Sequence, residues 1–186
     1  MILSQRKKSP MEKLIIRKCN PEDIPAASAF YTHVVTWLDA HLNYPKWIPG
    51  IYPSESTVTD RTQEGVQYLA FYNGILAAAF VLNTGPIGRY EDGLWPKPIP
   101  EGPYMVLHTL PVNPSVQRNG IGSEIIRFCL QTAKSKGYQA LRLDIVPTNE
   151  PAKKLYEKNG FHYAGDIDLH RGIKDIPVFS LYEKYC

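Results

Sequence analysis

The sequence predicts an α/β (α+β) fold: a mixed, mostly antiparallel central sheet flanked by helices. Three observations predict it. Two β-prone runs, Val66–Tyr72 and Ile75–Leu82, flank Asn73-Gly74, a dipeptide that favours a tight type I′ hairpin turn. Helical apolar periodicity recurs in separate blocks, first at Ile24, Ala27, Phe30, Tyr31, Val34, Val35 and Leu38. A strand-like run from Val106 passes through a glycine-bearing turn at Gly120 and Gly122 into a further helix, so strands and helices alternate. With no internal repeat and no domain-splitting linker, the order reads β-α-α-β-β-β-α-β-α-β-β.

Each element has a local cause. Leu14-Ile15-Ile16-Arg17 is a short β-prone run. Asn20-Pro21-Glu22-Asp23 starts a helix, with a capping residue, an early proline and two acids in the first turn, and the periodicity carries it to about His41. Tyr44 to Pro53 contains Pro45, Pro49 and Pro53 and forms a semi-rigid loop. Ser54 to Gln63 is polar with Ser/Thr capping types, a short second helix. After the hairpin, residues 83 to 103 form a long Gly/Pro-rich loop. Loops of that length in compact domains are commonly functional, and Tyr90, Glu91, Asp92 and Trp95 are not linker residues. The strand from Val106 is expected to run through Leu110 and Val112, and the helix after Gly122 to end near Gly137. Ala140 to Val146 alternates as a strand, Thr148-Asn149-Glu150-Pro151 caps a helix that stops at Asn159-Gly160, and Phe161–Gly165 and Pro177–Tyr185 are the last strands.

The 186 residues suffice for a core without disulfides or metals. The formal charge of +3 is small for that length and does not argue for nucleic acid. Cys19, Cys129 and Cys186 are widely spaced and form no metal-ligand pattern, so no metal is expected and a reducing, cytoplasmic setting is the default. The longest near-continuous apolar run, Ile75–Leu82, is far short of a membrane span, so no membrane partner is expected. Residues 1–12, basic through Arg6, Lys7 and Lys8, are expected to be a disordered N-terminal extension, and 13–186 a single domain. A homodimer is allowed by the sequence without being argued by it.

Strand, glycine turn and helix N-terminus together make an anion site, because unpaired N–H groups and the helix dipole both favour negative charge there. Gly120 and Gly122 are expected to let the backbone approach a phosphate. Leu110-x-Val112-x-Pro114-x-x-Gln117-x-x-Gly120-x-Gly122 resembles the acyl-CoA pyrophosphate motif of the GNAT superfamily of N-acetyltransferases. Asn149-x-x-Ala152-x-x-Leu155-Tyr156-Glu157-Lys158-x-Gly160-Phe161 resembles that superfamily's second motif, and the likeness covers roughly residues 13 to 185. A dinucleotide-binding reading fits worse, since the first glycine of Gly-x-Gly-x-x-Gly is missing.

The resemblance implies acetyl-CoA as co-substrate and transfer of acetyl to a primary amine, expected to belong to a small molecule, by direct attack in a ternary complex. The alternatives are a protein or peptide N-acetyltransferase, or a catalytically silent acyl-CoA-binding module. It further implies that the amides of Gln117, Arg118, Asn119, Gly120, Ile121, Gly122 and Ser123 hold the pyrophosphate. Leu110 and Val112 would meet the pantetheine arm, with the Leu110 amide polarising the thioester carbonyl. Arg118 stands where the superfamily commonly has glycine. Tyr156 is implied as the acid that returns a proton to the leaving thiolate. Asn149 is either a pantetheine ligand or a plain helix cap. His108 is the candidate base: alternation puts it on the face of Leu110, an ordinary imidazole pKa suits the task, and arylalkylamine acetyltransferase-like members carry a matching His. Trp37, Tyr90 and Trp95, with nearby carboxylates, are the candidate acceptor-binding residues, as suits a cationic amine.

Overall fold

The computed structural model describes residues 14–97 and 103–186, and the expected extension at 1–12 lies outside them. The helices are α1 (Ile24–Asp39), α2 (Glu55–Gln63), α3 (Ile121–Ser135) and α4 (Glu150–Lys158). The strands are β1 (Leu14–Lys18), β2 (Gln67–Tyr72), β3 (Ile75–Asn83), β4 (Tyr104–His108), β5 (Ala140–Ile145), β6 (His162–Ile167) and β7 (Phe179–Tyr185). They form one sheet in the order β1-β2-β3-β4-β5-β7-β6. The pairings are antiparallel except for the central β4/β5 pair, which is parallel.

The local signals act as their chemistry dictates. Asn73 (φ +51°) and Gly74 (φ +78°) both take left-handed backbone, which a type I′ turn between β2 and β3 requires. Before α1, Asn20 and Asp23 form a capping box around a short 3₁₀ turn. Arg17 grips the Asp23 carboxylate through both guanidinium tips, at 2.5 and 2.8 Å, and holds its pKa down to about 2. Ser54 caps α2 by accepting from the Thr57 amide.

Strand alternation divides the core into two layers. On one face α1 and α2 bury Phe30, Tyr31, Val34 and Val58 against Leu69 and Ala79. On the other, the apolar side of α3 (Ile125, Ile126, Cys129) and Tyr156 of α4 pack on Tyr68, Ala70, Phe80, Leu107 and Leu141. Neither α1 nor α2 covers β5, β7 and β6. That gap is filled by the long loop, whose Tyr90 is fully buried with Tyr104, Val106, Phe179 and Leu181, with Trp95 beside it. Beneath Trp95, the buried ion pair Arg142–Glu183 closes at 2.6 Å, and the guanidinium is sandwiched 3.8 Å from the Trp95 ring centre and 4.1 Å from that of Tyr104.

Candidate active site

The strand expected to run from Val106 to Val112 stops at His108, because Thr109 adopts φ +52°. Pairing with β3 passes from Val81↔His108 to an isolated bridge, Ala78↔Val112. Three steps along β3 thus face four along its partner, which is a β-bulge. The bulge is tied to α1. The Tyr31 hydroxyl donates to the Thr109 carbonyl at 3.2 Å, and Gln67 Nε2 donates in turn to the Tyr31 oxygen at 3.1 Å and the Phe80 carbonyl at 3.0 Å. In a trans peptide the next N–H points opposite to the carbonyl. Holding the Thr109 carbonyl toward α1 therefore turns the Leu110 amide away from it. On its other side β4 pairs with β5 only at Tyr104–Val106 against Ala140–Arg142, although β5 continues to Ile145. The two strands part where the bulge begins.

The bulge also overturns an expectation. His108 and Leu110 do not share a face: Leu110 packs with the α3/α4 core, whereas His108 lines a pocket on the α1/α2 side. This pocket, about 50 Å³, is walled by Tyr31, Tyr52, Val58, Arg61, Ile87 and Thr109. The Tyr52 hydroxyl bonds Thr109 Oγ1 at 2.8 Å and closes one side.

His108 is 9% exposed. Its Nε2–H donates to Asn83 Oδ1 at 3.1 Å, and the same oxygen accepts the Gly85 amide, so Nδ1 carries the lone pair. Burial pushes its pKa down to about 4, against smaller opposing pulls from Asp144 and from a hydrogen bond to the Gly85 backbone, and with further lowering by Arg171 and Arg61. The ordinary imidazole value expected from sequence therefore does not hold here. Asp144, in the diverging part of β5, is itself occupied: Arg171 donates to both its oxygens, at 2.9 and 2.6 Å, and the Tyr90 hydroxyl to one of them at 2.6 Å. Arg171 also reaches the Ile87 carbonyl at 2.9 and 2.7 Å and so ties the long loop to the β6–β7 connection.

On the opposite face, Pro114–Val116 makes a 3₁₀ turn that Asn119 closes by donating to the Val116 carbonyl at 3.0 Å. Arg118 takes φ +68°, the conformation a glycine would adopt without strain, and Gly120 follows at φ +75°. Gln117 to Gly120 are exposed and lead directly into the first turn of α3. Gly122 also meets a neighbouring helix. A Cβ there would lie 2.9 Å from Leu155 Cδ2, so its bareness lets α3 pack on α4. Ser123 Oγ accepts from Asn159 Nδ2 at 3.0 Å, and the Ile121 side chain is buried in the core. Val112 is the bridge partner of Ala78 and also packs on that core.

Asn149 caps α4, its Oδ1 accepting from the Ala152 amide at 3.3 Å. Tyr156 is 6% exposed, with Phe161 and Tyr182 rings 5.4 and 6.4 Å away, and burial pushes its phenol well above the ordinary range.

The expected acceptor residues stand elsewhere. Trp37 stacks on His41 at 4.3 Å, away from the pocket. Tyr90 is buried on Asp144, and Trp95 lies over Arg142 with its indole N–H on the Tyr90 carbonyl at 2.7 Å. Their aromatic area covers the sheet. The pocket is built instead by Tyr31, Tyr52, Arg61 and Thr109, which sequence reasoning missed. The one available signal was Gln67, a buried polar side chain in a β-prone run. The site therefore has two ends, an anion-competent α3 N-terminus on one face and the His108 pocket on the other.

The profile of the acetyltransferase (GNAT) family matches residues 28–161. No curated protein sequence matches the chain. Among solved structures, a GNAT-family acetyltransferase from Streptococcus agalactiae 2603 superposes with TM-score 0.75 at 18% identity, over 93% of this chain and 95% of that one. A GNAT-family acetyltransferase from Listeria monocytogenes 4b F2365 gives TM-score 0.70 at 20% identity, over 93% and 95%. The ribosomal-protein-S18-alanine N-acetyltransferase from Escherichia coli gives TM-score 0.62 at 19% identity, over 93% and 94%.

Proposed function

The chain belongs to the acetyltransferase (GNAT) family, whose co-substrate is acetyl-CoA, and from that premise we propose that it acetylates the primary amine of a small molecule by direct attack in a ternary complex. The observation that carries this reading is the bulge at Thr109, which borders a pocket of about 50 Å³. Such a volume corresponds to roughly three to five waters and fits a head group of a few heavy atoms rather than a peptide chain.

In this reading the amides from Gln117 to Ser123 receive the pyrophosphate, aided by the dipole of α3 and by Arg118. Leu110, Val112 and Asn149 contact the pantetheine arm where it passes between β4 and β5. Acetyl-CoA supplies the activated acyl carbon. The Leu110 amide donates to the thioester oxygen, where negative charge develops as the amine attacks. A C–N bond forms, the C–S bond breaks, the thiolate takes its proton from the Tyr156 hydroxyl, and the proton given up by the nitrogen passes through water and restores that hydroxyl. Burial keeps that phenol protonated while weakening it as an acid.

His108 serves differently from a free imidazole. With a pKa of about 4 it cannot hold a proton taken from an alkylammonium of pKa near 10.4; the mismatch is roughly 6 units, or about 9 kcal/mol. The amine sheds its proton to water on entry, and the Nδ1 lone pair then accepts an N–H and orients the nitrogen. The reading extends to a single domain over 13–186 in a cytoplasmic setting. It is supported by free cysteines at Cys19, Cys129 and Cys186, and among the described residues no helix is long and apolar enough to cross a membrane.

The test is thiol release from acetyl-CoA with a panel of amines and short peptides. Small amines are expected to release thiol at rates that saturate with amine concentration. Release with peptides alone would overturn the small-molecule assignment, and release with neither would leave an acyl-CoA-binding module.

A further inference from the structure

A cationic acceptor would need carboxylates around the pocket, and among the described residues none lines it. The nearest one acting on His108, Asp144, is held by Arg171 at both oxygens and by Tyr90. Glu91 and Asp92 of the long loop, which sequence reasoning placed against the acceptor, pair with Arg89 on the surface at 3.3 and 3.1 Å. The charged side chain that does line the pocket is Arg61. It follows Thr57 and Val58 along the inner side of α2, one helical turn further on, so the three face the same cavity as His108.

Arg61 is not locked. Its Nη1 meets Glu64 Oε2 at 2.8 Å, but this is an i,i+3 surface pair with side chains 31% and 50% exposed. Pairs of that kind contribute little and exchange readily. Glu64 takes one donor of a guanidinium that has five, and Glu64 does not line the pocket. An anionic group entering the pocket would meet the remaining donors in the fork geometry that suits carboxylates. Among the described residues, a second ammonium would meet only Arg61 and a neutral imidazole.

We infer that the acceptor is an amine carrying an anionic group, most simply an amino carboxylate, whose amine is presented to Nδ1 of His108 while Arg61 receives the acid. This rests on the small-molecule transfer reading above and narrows it to a substrate class. Polyamines are excluded from that class.

The experiment compares ω-amino acids of increasing chain length, from glycine to 5-aminopentanoate, each with the alkylamine and terminal diamine of equal length. Thiol release and calorimetric binding are both measured at saturating acetyl-CoA. The best amino acid is expected to exceed its alkylamine about tenfold in kcat/KM and in affinity, with the diamine weakest. R61Q is expected to remove the preference by raising KM for the amino acid about tenfold more than for its alkylamine, while R61K keeps part of it. Equal kcat/KM across each trio, or a preference that survives R61Q, overturns the inference. Arg61-dependent binding of the amino acid without thiol release supports the assignment of Arg61 and overturns the transfer reading instead.

Discussion

His108 makes a quantitative prediction about acid sensitivity. In the unfolded chain its imidazole titrates near 6.5, whereas in the folded protein burial lowers the pKa to about 4. Between these values the unfolded state binds a proton that the native state refuses. Stability is therefore fully present above pH 6.5 and is lost as pH falls toward 4. A gap of roughly 2.5 units corresponds to about 3 kcal/mol, or on the order of a 1 M shift in urea midpoint. The assay is urea unfolding at pH 8, 6.5, 5.5 and 4.5 for the wild type and H108Q. The difference between the two proteins cancels groups that titrate alike in both, such as Asp23, whose native pKa of about 2 places its loss at more acidic pH. The wild-type midpoint is expected to fall more steeply than that of H108Q. Parallel curves would refute the buried neutral imidazole and, with it, the argument that His108 orients the amine without holding its proton. The corresponding rate profile should show no His108 titration between pH 5 and 8, only the rise set by ionisation of the amine.

Three substitutions address the rest of the site. Tyr156→Phe should lower kcat at least tenfold with little change in acetyl-CoA affinity, measured by saturation kinetics and calorimetry; unchanged turnover removes Tyr156 as the acid. Tyr31→Phe frees the Thr109 carbonyl held at 3.2 Å, and should cost about 1–2 kcal/mol in thermal unfolding and reduce kcat more than it raises KM for acetyl-CoA. An unaltered kcat would mean that the bulge stands without its tether. Gly122→Ala places a methyl 2.9 Å from Leu155 and should weaken acetyl-CoA binding by displacing α3. The double variant with Leu155→Ala should recover that affinity, and if it does not, Gly122 acts at the phosphate loop instead.

What was legible in the chain is what neighbouring residues decide among themselves. The Asn73-Gly74 hairpin, the Asn20/Asp23 capping box and the Ser54 and Asn149 caps are all closed within a few residues of sequence. Pro111, which removes an N–H, marks this strand for a bulge or an open edge, but the residue at which it bulges was not legible, because it is held by a tyrosine 78 positions earlier. Nothing in His-Thr-Leu-Pro marks Thr109 for positive φ. Alternation read through it assigned His108 and Leu110 to one face, when the inserted residue sends them to opposite sides of the sheet.

The misplaced acceptor residues have a related cause. Aromatic residues in a long loop suggest a ligand surface, but the sheet has seven strands, and among the described residues α1 and α2 pack on its β1–β3 side of that face. Tyr104, Val106, Phe179 and Leu181 would otherwise face water, and burying them requires large apolar groups from some other segment. Tyr90 and Trp95 meet that requirement. Their polar tips are then obliged to find partners in the interior, and Tyr90 finds Asp144. Tyr90 and Arg171 thus occupy Asp144, and among the described residues Arg61 is the charged side chain that lines the His108 pocket. A packing requirement on one half of the sheet thus determines where one of the carboxylates nearest that half is spent.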